Sequence, residues 1–343
     1  MKVGLLQDDE SSIWDEYVGA RRTASNYHRL AWRRVIWESF GHQTYYLVAK
    51  DEDGAVVGIL PLVYVTSWLF GKYLVSMPFV NYGGIVADSG EASQALLATA
   101  MQLTERLKAR HLELRHDRPL DCPLPVKTHK VNMVLDLPPS PDTLWESFSS
   151  KLKSQIRRPM KEGMEVLWGG VDRLDAFYRV FAILMRDLGT PVHGERFFRS
   201  ICEVFRDDVR VCVVSHRGTP VAAGFLIRHK DTMEIPWAAS LRDYHAMSPN
   251  MLLYWSVLKA SCEMGATRFD FGRSTVESGT YRFKVQWGAR PIALYWYYAM
   301  APGRPVPELN PSNPKYQWAI GLWQRLPVWV ARQVGPAVIR GIA

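Results

Sequence analysis

Two stretches of the chain carry the same alternation of apolar and polar positions. Tyr45–Val63 reads YYLVAKDEDGAVVGILPLV and Val211–Arg228 reads VCVVSHRGTPVAAGFLIR. In each, an apolar run meets a polar, glycine-bearing turn and then a second apolar run holding Gly58 or Gly224. That pattern predicts a β-hairpin with a tight turn. An aromatic-rich helical stretch precedes each hairpin, at Tyr27–Phe40 and Arg196–Phe205. The same order of strand, glycine- or proline-marked loop, helix and strand then follows. In the first half these are Tyr73–Pro78, Asn81–Gly84, Ala92–Ala109 and His111–Arg115. In the second they are Met233–Ala238, Ser240–Pro249, Met251–Gly265 and Arg268–Phe271. A last apolar run, Pro291–Tyr298, reads as a strand returning to the sheet.

The offset between the halves is about 160 residues, far beyond a solenoid period. It predicts two copies of one α/β domain, each a mixed sheet flanked by helices, with the cleft between copies as the first place for a site. The expected boundaries are 1–140 and 166–300, a connecting helix at 141–165, and a Pro-rich spacer with an amphipathic segment at 301–343.

Composition adjusts this picture in a few places. At 343 residues, 48% hydrophobic and 22% charged, the chain suits two globular cores. No run approaches the roughly 18–20 apolar residues that cross a bilayer. MKVGLLQDDESS turns acidic too early for a secretory signal, so a cytoplasmic location is expected. The four cysteines and nine histidines show no metal-ligand spacing. No metal is expected, and the cysteines read as small residues filling a reduced interior.

The net charge of +8 favours polyanionic partners. It is concentrated in KLKSQIRRPMK (151–161), five cations without an acid. Trp145 and Phe148 anchor the segment before it, and Pro159 marks a helix end or kink. Arg157 and Arg158 on this helix either face solvent or grip a substrate phosphate. In SMPFVNYGG (76–84), Asn81, Tyr82 and Gly83 stand at a strand end, where α/β clefts bind ligands. There Gly83 and Gly84 are expected to supply backbone angles closed to other residues. The matching loop of the second copy offers Tyr244 and His245, the histidine being either a general base or plain surface, and Asn250, either a helix cap or at a helix start whose free amides meet an anion. RFDFGRST (268–275) puts Asp270 on a strand between aromatics, needing a partner such as Arg273. In GTYRFKVQWG (279–288), Phe283 and Trp287 share a helical face, with Lys284 beside them.

These motifs together resemble the FemAB/FemX aminoacyltransferases of peptidoglycan bridges, whose fold is two tandem GNAT-like (acyl-CoA N-acyltransferase-like) domains. The family's FK-x-x-FG segment after a strand-borne Asp-x-Gly matches Phe283-Lys284 and Trp287-Gly288, with Trp in place of Phe. NYGGIVAD (81–88), KLKSQIRRPMKEG (151–163), DLGTPVHG (187–194) and FDFGRST (269–275) are most similar to the FemAB-like subgroup associated with PEP-CTERM/exosortase and exopolysaccharide clusters. The coiled-coil arm that some bridge enzymes use for tRNA is not visible.

The resemblance implies acyl transfer to an amine, from aminoacyl-tRNA to a nucleotide- or lipid-linked cell-envelope precursor. It casts Lys284 as support for the developing oxyanion, with Asp270 beside it. Arg157 and Arg158 become candidates for acceptor phosphates. Asn81, Tyr82 and Gly83 would line the acceptor pocket, and Tyr244, His245, Arg273, Tyr281 and Phe283 complete the substrate contacts. No Ser-His-Asp or Cys-His arrangement stands out, which fits direct aminolysis. No cofactor is expected, because the acyl donor is itself a substrate.

Two alternatives stay open. One is an acyl-CoA donor, though the loops at 80–89 and 241–250 lack the Arg/Gln-x-x-Gly-x-Gly/Ala spacing that cradles pyrophosphate. The other is a non-catalytic binder of carbohydrate or nucleic acid, for which thirteen tryptophans and fifteen tyrosines would supply stacking surfaces. WAIGLWQRLPVWVARQVGPAVIRGI (318–342) holds three arginines and no acid. Either it packs on the domain or it lies on an anionic membrane as a peripheral contact.

Overall fold

The computed structural model describes residues 1–67, 71–307 and 314–342. The first half runs β1 (Lys2–Leu5), α1 (Ser11–Ala20), α2 (Trp32–Phe40), β2 (Gln43–Lys50), β3 (Val56–Ser67), β4 (Gly71–Val75), β5 (Val86–Ala87), α3 (Gly90–Arg106), β6 (His111–His116) and β7 (Val126–Lys127). The second runs β8 (Lys130–Asp136), α4 (Pro141–Ser147), α5 (Ser150–Lys161), β9 (Met164–Gly169), α6 (Leu174–Asp187), α7 (Glu195–Phe205), β10 (Val209–His216), β11 (Thr219–His229), β12 (Thr232–Ser240), α8 (Pro249–Glu263) and β13 (Arg268–Thr275). Then come α9 (Gly279–Val285), β14 (Arg290–Ala293), β15 (Tyr295–Met300), α10 (Pro314–Gln324) and α11 (Val328–Ile339). Both hairpins form where the alternation puts them.

The chain divides into two units. The first holds Met1–Val131, Ala293–Leu309 and Arg340–Ala343; the second holds Asn132–Ile292 and Asn310–Ile339. This corrects the expected boundaries in three ways. The basic helix α5 belongs to the second unit, packed on α8 together with α4. The run Pro291–Tyr298 is two strands, not one. And β15 completes the first sheet, antiparallel to β6 from Tyr295↔His116 to Met300↔His111, while β8 from the middle of the chain joins the second. The first sheet is thus completed by a strand from the C-terminal part of the chain, and the second takes a strand from within the stretch expected to form the first domain. The second domain does not run through to residue 300.

The first sheet has the order β1-β2-β3-β4-β6-β15-β7, with β5 on β3; the second has β14-β8-β13-β12-β11-β10-β9. Both contain a short parallel ladder. In the first unit it covers Leu74↔Leu112 and Val75↔Glu113. In the second it covers Thr232↔Arg268 to Glu234↔Asp270. Past these pairs the two strands no longer pair with each other at their C-terminal ends, the usual ligand side of an α/β sheet.

The repeat is also physical. A Cβ on Gly58 would sit 2.9 Å from Leu96 Cδ1 of α3, and one on Gly224 would sit 2.8 Å from Ile235 Cδ1 and 3.5 Å from Leu253 Cδ1 of α8. The glycine of each hairpin is therefore the spot where the following helix comes down on the sheet. Leu96, Leu97, Ala100 and Leu103 recur at helical spacing along α3 and are buried against Leu47, Leu60, Leu62 and Leu112. In the second unit Phe177, Phe198, Phe225 and Trp237 pack with ring centroids 5.0–5.7 Å apart, tying α6 and α7 to β11 and β12.

The C-terminal helices belong to the second unit through the 187–194 loop. Gln324 Nε2 donates to Asp187 O at 3.1 Å, and Arg186 Nη1 donates to Leu326 O at 2.9 Å. A Cβ on Gly335 would meet Val192 N at 2.9 Å, and one on Gly189 (φ 71°) would meet Ile320 Cγ2 at 2.4 Å. The DLGTPVHG motif is therefore the surface on which α10 and α11 dock. Residues 308–313 of the Pro-rich spacer lie outside the described residues. Among the described residues no helix is long and apolar enough to cross a membrane.

Candidate active site around Lys284

Helix α9 begins at Ser278, whose hydroxyl accepts from Tyr281 N at 3.2 Å. It places Lys284 against the end of β13. The side chain does not snorkel: Lys284 is 7% exposed, and its Nζ donates to Gly272 O at 2.9 Å and Arg273 O at 3.0 Å. Gly272 lies in the left-handed region (φ 74°), which turns these carbonyls toward the lysine. Burial pushes the Lys284 ammonium down to about 8; the Asp270 carboxylate opposes the shift and Arg273 adds to it. Two of its three N–H bonds are taken by carbonyls, so one remains for a ligand.

Asp270 is 2% exposed. Its carboxylate accepts from Gly272 N at 2.7 Å and from the Asn132 side-chain amide. Asn132 comes from β8, the exchanged strand, and sequence reasoning did not find it. A backbone amide and a side-chain amide thus hold the Asp270 carboxylate, and β13 carries Arg273 to an exposed position. Asp270 braces the turn that presents the Gly272 and Arg273 carbonyls to Lys284.

Aromatic rings connect this corner to the basic helix. Phe283 lies 4.9 Å from Tyr254, and Trp287 lies 5.5 Å from Phe148. Trp145 lies 4.8 Å from Trp255 of α8, and the Arg157 guanidinium sits 5.3 Å from the Trp145 ring, with Lys153 Nζ at 5.9 Å. In α5, Leu152, Ile156 and Pro159 are buried at i, i+4 and i+7, which turns Arg157 and Arg158 outward. Both stay exposed. Pro159 falls in the last turn, and the helix continues through it to Lys161.

Tyr244 and His245 lie on a 3-10 turn, Arg242–Met247, before α8. His245 Nε2 is 3.3 Å from Ser240 Oγ, and Tyr244 stacks edge-on against His216 at 5.9 Å. Asn250 does not cap α8. The cap position falls to Ser248, in the left-handed region (φ 59°) with no side-chain bond, so the first amides of α8 carry no side-chain cap. Gln286 Nε2 reaches Met251 Sδ at 4.0 Å and joins this helix start to α9. The Cys202 thiol is pushed up to about 12 by burial, and burial also raises Cys212 and Cys262, so none of the three is a thiolate near neutral pH.

Asn81, Tyr82 and Gly83 belong to the first unit. Their loop is strained, but not where the glycines suggest. Met77 (φ 55°) and Phe79 (φ 70°) take the left-handed conformation, and Gly83 and Gly84 do not. The glycines serve close approach instead: a Cβ on Gly83 would lie 2.6 Å from Met77 Cγ, and one on Gly84 would lie 2.5 Å from the His116 ring. The loop is tied down by buried polar groups that sequence reasoning missed. Arg115 Nε donates to Glu113 at 2.7 Å and its Nη1 donates to Val80 O at 3.2 Å, while Trp296 covers its guanidinium at 4.5 Å. Gly83 N donates to Arg115 O at 3.0 Å, and His28 Nε2 bonds Gly84 O at 2.8 Å. Burial lowers His28 to about 4 and His116 to about 3, so both are neutral at pH 7. The available signal was HLELRH (111–116), a strand with four charged or titratable residues that is buried throughout. A cavity of about 460 Å³ opens beside the loop, lined by Asp88, Ser89 and Gly90 at the start of α3 and by His116 and Arg118. Asn81, Tyr82 and Gly83 do not line it.

The architecture is a tandem GNAT-like α/β fold, two mixed sheets flanked by helices. Residues 147–285 match the protein-family model described as an acetyltransferase (GNAT) domain. That segment runs from the residue before Phe148 to the residue after Lys284. Over 116 residues the chain is 28% identical to the UDP-N-acetylmuramoylpentapeptide-lysine N(6)-alanyltransferase of Weissella viridescens, a match spanning 33% of this chain and 34% of that enzyme. The chain thus aligns with about a third of the curated relative's length. Among solved structures, the crystal structure of FemX is similar at a TM-score of 0.67 and 16% identity, covering 87% of this chain and 98% of that one. A tandem GNAT protein from the clavulanic acid biosynthesis pathway is similar at a TM-score of 0.52 and 12% identity, covering 88% and 99%. At these identities the structural likenesses establish the fold.

Proposed function

We propose that this protein is a Fem-like N-acyltransferase that moves an aminoacyl or acyl group onto an amine of a cell-envelope precursor. The observation that carries the reading is Lys284: a buried cation at the end of β13, in the family-matched segment, with an N–H to spare. The attacking amine adds to the carbonyl carbon of an activated ester. The carbonyl oxygen takes on negative charge, and the Lys284 ammonium stabilises it in a site shielded from water. The tetrahedral adduct then collapses, the C–O bond to the donor breaks, and the amide forms. The amine's proton leaves with the donor hydroxyl or to water. No acyl-enzyme is needed, because an aminoacyl ester is already activated and positioning supplies much of the acceleration.

The similarity to an alanyltransferase that acts on a muramoylpentapeptide supports aminoacyl-tRNA as donor and a nucleotide- or lipid-linked amine as acceptor, on a peptidoglycan or exopolysaccharide precursor. The four quoted motifs favour the PEP-CTERM-associated subgroup within that reading. Arg157 and Arg158 are assigned to the substrate phosphates, with Tyr244, His245, Arg273, Tyr281 and Phe283 around the acyl group. Asn81, Tyr82 and Gly83 are assigned to the acceptor. A second reading keeps the chemistry and takes acyl-CoA as donor; the α8 helix start, free of a side-chain cap, favours it as a place for an anion. Transfer of a labelled amino acid or acyl group to an amine acceptor, with and without Lys284→Met, tests the proposal. Equal transfer by both proteins would refute it.

A further inference from the structure

Helix α10 has two unlike sides. Ile320 lies against Gly189, and Gln324 bonds Asp187 O, so this side is spent on docking. Trp318, Leu322 and Arg325 recur at i, i+4 and i+7 and therefore share the other side. Trp318 is 73% exposed and Leu322 52%, and Arg325 makes no ion pair among the described residues. Beyond the break at Arg325–Pro327, Trp329 of α11 is 65% exposed, while Ala331, Gly335 and Ile339 of the same helix are buried. Both tryptophans thus stand in solvent on helices whose packing is already complete.

We infer that Trp318, Leu322 and Trp329, with Arg325, form a docking surface for an anionic lipid bilayer. Charge complementarity selects this occupant. From Gln317 to Ile342 the chain carries no acid; Arg332 meets Glu195 at 3.7 Å, while Arg325 makes no ion pair among the described residues, so the exposed side of α10 attracts a negatively charged headgroup layer. Tryptophan, an apolar ring with one polar N–H, is the side chain that settles at a membrane–water interface. Leu322 between the two kinds of group enters the acyl boundary, and Arg325 stays at headgroup level. The helices lie on the surface and do not span it. The contact deepens the envelope-precursor reading and rests on it only for its purpose, which is to bring the enzyme to a lipid-linked acceptor.

The test uses the full chain and no substrate, so it can fail without touching the acyl-transfer proposal, and the reverse also holds. Flotation with phosphatidylcholine vesicles is compared with vesicles containing one-quarter phosphatidylglycerol. Wild type is expected on the anionic vesicles and not on the neutral ones, with binding weakened by salt. The Trp318→Ser, Leu322→Ser double variant is expected to lose about tenfold or more in partitioning, and Arg325→Glu to lose several-fold. Trp37→Ser is the control, since Trp37 is a 61%-exposed tryptophan of the first unit and should leave partitioning unchanged. Unchanged thermal melts show that the variants fold. No binding by wild type, equal binding to both vesicle types, or equal losses in the Trp37 control would overturn the inference. So would a dimer in light scattering that the Trp318, Leu322 variant abolishes, because the occupant would then be a second copy.

Discussion

Lys284 should leave a signature in the pH dependence of stability that does not depend on any substrate. Its folded value of about 8 lies below the ordinary 10.5. At about 1.4 kcal/mol per unit, the buried charge costs about 3 kcal/mol at pH 7. Below pH 8 the lysine is protonated in both the folded and the unfolded chain, so this penalty is constant. Between 8 and 10.5 the unfolded chain still holds the proton and the folded chain has released it. Stability therefore rises with pH across that window, and above it the penalty is gone. Lys284→Met keeps the length of the side chain and removes the titration. At pH 7 it relieves the buried charge but leaves Gly272 O and Arg273 O without their donor, at about 1–3 kcal/mol each. These effects offset, so the variant is expected within about 2 kcal/mol of wild type at pH 7. Urea melts of both proteins at pH 7.5 and pH 10.5 measure the difference, and groups that titrate alike in both cancel. Wild type should gain about 3 kcal/mol relative to the variant. Parallel behaviour of the two proteins would mean that Lys284 titrates as a solvated lysine, and the buried oxyanion donor would be lost with it.

Other consequences follow from the same contacts. Gly84→Ala drives a methyl into the His116 ring and should lower stability by about 1–3 kcal/mol in a denaturant melt, whereas Gly90→Ala, which meets nothing within 4 Å, should not. Asp270→Ala removes the acceptor for Gly272 N and the Asn132 amide and should lower stability by about 3 kcal/mol; because the carboxylate opposes the Lys284 shift, its loss should deepen the Lys284 pH signature in urea melts rather than remove it. Gly335→Ala places a Cβ 2.9 Å from Val192 N and should loosen α11, read as faster hydrogen exchange across 328–339 while β10–β12 stay protected.

The sequence made local order legible and long-range exchange illegible. Hairpins, the helix after each, and the Gly58–Gly224 correspondence are written in short-range alternation, so they were readable. The placement of β8 and β15 was not. Both are short runs of apolar and aromatic residues that would suit either sheet, and only tertiary packing assigns them. The Ser76–Gly84 loop misled for a different reason. Glycine commonly marks positive φ, yet here Met77 and Phe79 take the strain, beside a buried Arg115 whose partners Val80 and Trp296 are distant in sequence. DLGTPVHG was legible as a motif but not as the dock for α10 and α11, since its partners lie more than a hundred residues away. At the candidate site the short spacing from Asp270 to Lys284 kept the sequence informative, and Asn132, on the exchanged strand, is what it hid. Part of the tryptophan content that suggested sugar stacking is structural: Trp14, Trp32 and Trp287 are at most 1% exposed.

The central claim is that Lys284 supports acyl transfer to an amine, and single-turnover transfer tests it most directly. Purified protein is given labelled aminoacyl-tRNA or an acyl-CoA panel together with a muropeptide or glycan-linked amine, beside Lys284→Met shown to be folded. The account predicts amide formation from one donor class, slowed about 100-fold or more in the variant, as for loss of an oxyanion donor. Transfer by the variant within about threefold of wild type, or no amide from any donor with an intact fold, would contradict it.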